Sequence, residues 1–239
     1  MFLNKTSMLL LLLVAMLAFG CSSSDNVTNT DLTTGDLVTP DEITVPANLQ
    51  AAADAGDEGA QAIVQLIQGI DELDSLSTMM QPPPQATVID APAFAPTADS
   101  SWQWDENGVT YTLTFTQTST EYQWDLVADG STQVFTYDNF TVAEMTEAKD
   151  GSSGSFAMYF IMFEGLSMSF DWTATSSVLT LNMFVGTDTD YVQMNATVNS
   201  DGSGQILVYD GSALAAKVVW TSNGNGQWWN YDTGENGSF

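Results

Sequence analysis

The chain has 239 residues, and its 30 Asp and Glu face only 3 Lys, with no Arg and no His, for a formal net charge of −27. So few cations exclude nucleic-acid binding, which needs Lys and Arg to neutralise phosphates, and docking on anionic lipid by charge alone. The absence of His and the single cysteine, Cys21, likewise exclude Ser-His-Asp and Cys-His catalysis, imidazole metal sites and an internal disulfide.

In chain order, Lys5 precedes an unbroken apolar run from Met8 to Ala18. The run is shorter than the ~20 residues of a membrane-spanning helix and has the length of a secretory signal core. It leads into Ala18-Phe19-Gly20-Cys21, then Ser22, Ser23, Ser24 and Asp25. This stretch resembles the lipobox of bacterial lipoproteins, with Phe19 departing from the small or β-branched residue usual at its place. The resemblance implies a signal peptide over 1–20, cleavage before Cys21, and a diacylglyceryl group on Cys21 that anchors the protein. Because residue 22 is Ser rather than Asp, it also implies the outer membrane, on its periplasmic or surface face. Residues 21–46 are polar, acidic and Thr-rich without an apolar period, which predicts a lipidated, disordered tether. Once Lys5 leaves with the signal, subtracting thirty carboxylates from two lysines leaves −28 on the side chains. The lipid would then hold the protein on the membrane against electrostatic repulsion.

Residues 47–84 are expected to form a helix and a proline-rich connector. Ile63, Leu66, Ile67, Ile70, Leu73, Leu76 and Met80 recur at steps of three or four, the stripe of one helical face, placing the helix at 58–80. Asp57 and Glu58 stand near its start, where carboxylates favour the helix dipole. Pro82-Pro83-Pro84 ends it. Residues 85–100 read as an ordered or extended connector leading into the sheet.

Beyond it the period falls to two. Val109, Tyr111, Leu113 and Phe115 alternate with threonines; Tyr122, Trp124 and Leu126, then Met168, Phe170 and Trp172, then Val192, Met194, Ala196 and Val198 alternate with polar residues. Each run predicts a strand with one apolar and one polar face. Turn-formers separate them at Asp129-Gly130, Asp150-Gly151, Ser176-Ser177, Asp201-Gly202, Asp210-Gly211 and Asn223-Gly224. The expectation is a mainly β domain over 85–239, an antiparallel meander of about 10 or 11 strands. It would form an open or closed barrel, or a β-sandwich, with the amphipathic helix covering its apolar face. A weak echo links Asp150-Gly-Ser-Ser-Gly154, Asp201-Gly-Ser-Gly204 and Asn223-Gly-Asn-Gly226. Its unequal spacing speaks for repeated turn chemistry rather than a solenoid. In strand count and helix alone, the domain resembles the lipoprotein carriers and receptors of the bacterial envelope and, loosely, the lipocalins. No motif carries that resemblance.

No residue pattern marks a catalytic centre, and the protein is read as a non-enzyme without cofactor or metal. Lys149 and Lys217 are expected to be solvated or ion-paired. Two-carboxylate glycoside chemistry stays open, with Glu121, Glu144, Glu147 and Glu164 as candidates that nothing singles out. Asp188-Thr189-Asp190 and Asn199-Ser200-Asp201-Gly202 place oxygen ligands at alternate loop positions, but neither completes a calcium loop. The leading reading is non-catalytic binding of an apolar ligand, such as an acyl chain, in an interior lined by Met158, Phe160, Met162, Met168, Phe170, Trp172, Met183 and Met194. Methionine is deformable and polarizable and suits such pockets. One alternative is a surface carbohydrate-binding or adhesive module using Trp228 or Trp229, one of which alternation turns outward. Another is a structural envelope lipoprotein with a solid core. The partners implied are the membrane, through the lipid, and an apolar small molecule or a glycan, with no nucleic acid.

Overall fold

A computed structural model describes residues 45–57, 60–61, 63–65, 68, 80–95, 97–162 and 165–239. Cys21 with its signal and tether up to residue 44, most of the helical stripe including Ile67, Ile70 and Leu73, and Glu164 lie outside the described residues.

The described chain begins with α1, Ala47–Asp54. Its alanines favour helix, and it ends in a closed cap. The Gly56 N–H donates to the Ala53 carbonyl and the Asp57 N–H to the Ala52 carbonyl, with Gly56 at φ +93°. That left-handed residue satisfies carbonyls the helix would otherwise leave open. Asp57 then caps the next helical residues, its Oδ1 accepting from the Ala60 N–H at 2.9 Å. Helical backbone resumes at Ala60, Gln61 and Ile63–Gln65. Asp57 thus stands close to the start of helical backbone, where the sequence placed it. A separate short helix precedes it, which the apolar period alone does not resolve.

The rest is one antiparallel sheet. Its strands are β1 (Thr87–Val88), β2 (Ser100–Glu106), β3 (Val109–Gln117), β4 (Glu121–Ser131), β5 (Thr136–Ala148), β6 (Ser153–Tyr159) and β7 (Ser167–Ala174). They continue with β8 (Val178–Gly186), β9 (Tyr191–Asn199), β10 (Gly204–Asp210), β11 (Ala213–Trp220), β12 (Gly226–Asn230) and β13 (Asn236–Ser238). Each strand pairs with its neighbour in sequence, so thirteen strands form an uncrossed meander, two more than the upper expectation. The sheet does not close; β1 and β13, of two and three residues, are its edges. Short edges offer little template for pairing with another chain.

Most expected turns are turns, but Asp129-Gly130 is not. β4 runs through it, and its pairing with β5 shifts register between Ala128 and Gly130. A glycine at positive φ serves a bulge as well as a turn, and the chain reverses instead at 132–135. The β2–β3 reversal falls at Asn107-Gly108, outside the expected turns. Both residues have positive φ, as a two-residue hairpin requires.

Register defines the two faces. One inner row runs Phe115, Trp124, Met145, Phe156, Phe170, Met183, Met194 across β3 to β9. A neighbouring inner row runs Glu147, Gly154, Trp172, Leu181, Ala196, Ile206, Val218, Trp228 across β5 to β12. The inner face forms one core cluster with Leu49, Ala53, Ala60, Ile63, Val64 and Met80 of the N-terminal segment. That segment is therefore packed on the sheet, as expected. It approaches the sheet at the β11–β12 turn, where a Cβ on Gly224 would stand 2.7 Å from the Leu49 nitrogen. Only a residue without a side chain lets the helix come so close.

The glycine echo has a structural reason. The first glycine of each copy, Gly151, Gly202 and Gly224, sits in a turn at positive φ. The second, Gly154, Gly204 and Gly226, lies on the inner face beneath an aromatic ring. A Cβ there would meet Trp172, Trp220 and Phe239 at 2.0, 2.5 and 2.0 Å respectively. Each ring comes from the following strand or the residue just beyond it, so a flat aromatic covers the gap a strand glycine leaves.

Candidate functional site

The inner face gathers most of the residues expected to line an interior. Met168, Phe170, Trp172, Met183 and Met194 are buried there, and Met158 is half-buried between Ala143 and Met168. Phe156, Phe170 and Trp172 form a run of ring contacts at 5.5 and 5.8 Å, the offset geometry aromatics favour. Phe160 lies just past the end of β6 and packs on the core from there. Met162 does not belong to this face. β6 ends at Tyr159, and Met162 sits in the following turn, 60% exposed. Strand alternation cannot be extended past the residue where pairing stops.

Three polar groups interrupt this apolar face. Glu147 is 1% exposed and stands opposite Tyr122 and Gly154 in the inner row. The Trp172 and Trp228 indole N–H groups are buried without a hydrogen-bond partner among the described residues. Buried donors are almost always paired, so an open one calls for a functional explanation.

The tryptophan pair divides as alternation requires. Trp228 turns inward against the core. Trp229 lies on the outer face, with the Lys217 ammonium 5.5 Å above its ring. Lys149 likewise stands 5.1 Å from the Tyr122 ring. Both lysines therefore pair with aromatics, a cation–π contact, and Trp229 offers less bare ring than an open platform.

The outer face carries a groove that sequence patterning did not single out. Its volume is about 330 Å³, and its walls include Gln123 and Asp125 on β4, Glu144 and Thr146 on β5, Ser155 and Ala157 on β6, and Ser169 and Asp171 on β7. It exists because Ser155, Ala157 and Ser169 are small. Asp125 and Glu144 face each other across β4 and β5. Burial, and then the Glu144 charge, push the Asp125 carboxyl above its ordinary range, with the Thr114 hydroxyl opposing the rise. The Tyr159 hydroxyl donates to Glu144 Oε2 at 2.8 Å, and this bond chiefly raises the Tyr159 pKa. Thr146 and Ser155 share a hydroxyl hydrogen bond of 2.7 Å.

The raised Asp125 has a consequence for stability. Its folded-state pKa exceeds its unfolded one, so its contribution is present below the ordinary carboxylate range and lost as pH rises through the raised value. Asp125→Asn, which cannot ionise, should melt above the parent at neutral pH by about 1–3 °C. The gain should vanish in acid, below the ordinary carboxylate range. Identical melting of the two proteins at both pH values would show that solvent screens the pair completely.

Of the other carboxylate candidates, Glu121 is exposed at the start of β4. In the β9–β10 turn, Asp201 accepts from the Ser203 N–H and hydroxyl, which hold its carboxyl below the usual range. Among the described residues, no group of three or more Asp, Glu, Cys or His could hold a metal ion. No described helix is long and apolar enough to cross a membrane. No protein-family model matches the chain, and no curated protein is similar to it.

Proposed function

We propose that the protein is an outer-membrane-anchored lipoprotein that holds an apolar ligand, such as an acyl chain, without catalysis. The ligand lies between the Met- and aromatic-lined inner face and the N-terminal helical segment that covers it. The observation that carries this reading is the convergence of Met158, Met168, Phe170, Trp172, Met183 and Met194 on one face. Methionine side chains repack around a flexible chain at little cost. The open Trp172 N–H supplies a donor for a carbonyl oxygen at the ligand's head.

Native mass spectrometry of the gently purified mature protein should reveal co-purified acyl species, and added fatty acid should quench tryptophan fluorescence saturably. Absence of both results would refute ligand binding. Radioactive palmitate should label the wild type and not Cys21→Ser; label on the variant would refute the anchor.

A second reading has its own support. Leu49, Ile63 and Met80 are at most 1% exposed and already fill space against the sheet. That filling favours a structural envelope lipoprotein with a solid core. The same mass spectrum, empty of ligand, is its expected result.

A further inference from the structure

The outer groove is separate from the inner face and stands independently of the acyl-ligand reading. We propose that it is a binding site for a neutral sugar, one or two rings long. It spans four strands, about 14 Å at ~4.8 Å per strand, and is carved by small side chains rather than left by a missing element. Its polar groups are mixed. The side chains of Gln123, Ser169 and Asp171 form no hydrogen bond among the described residues. The Gln123 amide and the Ser169 hydroxyl donate; Asp125, Glu144 and Asp171 accept.

The chemistry of that set selects the ligand. An anion would meet three carboxylates and no lysine, since Lys149 and Lys217 lie over Tyr122 and Trp229. An apolar ligand would strip water from open polar groups without replacing it. An ammonium ligand has donors only, so it would pair with the carboxylates and make no use of the donors of Gln123 and Ser169. A sugar hydroxyl both donates and accepts, and neighbouring hydroxyls can bridge the two oxygens of one carboxylate. The Ala157 methyl gives the ring's C–H face an apolar floor. This reading moves carbohydrate recognition away from Trp228 and Trp229, one turned into the core and the other beneath Lys217.

The test is a panel of neutral mono- to tetrasaccharides, titrated into the mature lipidated protein in detergent. At least one sugar should bind saturably, and Gln123→Ala and Asp171→Asn should each weaken it at least about tenfold. Ala157→Trp, which fills the groove, should abolish binding, while Trp229→Ala should leave it unchanged. Each variant's thermal melt verifies that it folds; because Ala157→Trp strains its strand, the two polar variants carry the decision. The proposal is overturned if no sugar binds at millimolar concentration. It is equally overturned if Gln123→Ala and Asp171→Asn bind like the parent, if Trp229→Ala abolishes binding, or if spermidine displaces the sugar. Acyl retention on the inner face should not change in any of these variants.

Discussion

Replacing Ile63 by Asp should cost about 4 kcal/mol or more, a large share of the ~5–15 kcal/mol that stabilises a typical domain. Ile63 is fully buried and belongs to the same core cluster as Trp124 and Phe156. A carboxylate there loses its hydration and gains no cation. The only described lysines stand over Tyr122 and Trp229. Urea unfolding followed by tryptophan fluorescence measures the effect, because the sheet's tryptophans report on the whole core. Ile63→Ala provides the scale: it removes packing without adding charge and should cost about 2–5 kcal/mol. An unchanged midpoint for Ile63→Asp would mean that the helical segment melts apart from the sheet. The covered inner face on which the acyl-ligand proposal depends would then fail with it.

A methyl group at position 154 should destabilise the protein by about 1–3 kcal/mol, near the upper end. Gly154 pairs with Trp172 across β6 and β7, and an added Cβ would lie 2.0 Å from the Trp172 ring. Trp172 is 4% exposed and its ring packs against Phe170, so it cannot step aside without opening the core. The informative experiment is a double-mutant cycle. Trp172→Leu alone should destabilise, yet Gly154→Ala should then cost much less in the protein that already carries Trp172→Leu, because the colliding ring has gone. Additive effects would show that the glycine is required for backbone reasons and not by the ring above it. Gly204 should behave differently: besides the Trp220 ring at 2.5 Å, an added Cβ would meet the Thr197 backbone carbonyl oxygen at 2.4 Å, so Trp220→Leu should relieve only part of the cost.

These glycines mark a boundary between what chain order tells and what folding adds. Alternation in Val109–Phe115, Tyr122–Leu126, Met168–Trp172 and Val192–Val198 places strands and their inner faces correctly, because side chains on a strand must alternate and the apolar set gathers in one core. Asp57 is legible near a helix start because carboxylates favour the positive end of the helix dipole; its capping bond to Ala60 appears only in the structure. The limits also have local causes. Gly130 reads as a turn because a bulge uses the same backbone conformation. Met162 reads as part of a strand face because pairing, which ends β6 at Tyr159, leaves no trace in composition. β1 and β13, with two and three residues, are too short to show a period.

By itself the sequence determined the class of the domain, its uncrossed order of hairpins and the apolar character of one face. It also excluded chemistry that needs His, Arg or a second Cys, because these depend on residue type and near-neighbour spacing. Only the tertiary structure decided which polar residues share a place. Gln123, Asp125, Glu144, Ser169 and Asp171 lie far apart along the chain and become one groove through the register of β4 to β7. Glu144 and Glu147 are three residues apart on one strand, yet one faces the groove and the other is buried in the core. An odd separation puts them on opposite faces, and only the packed sheet shows which face is wet.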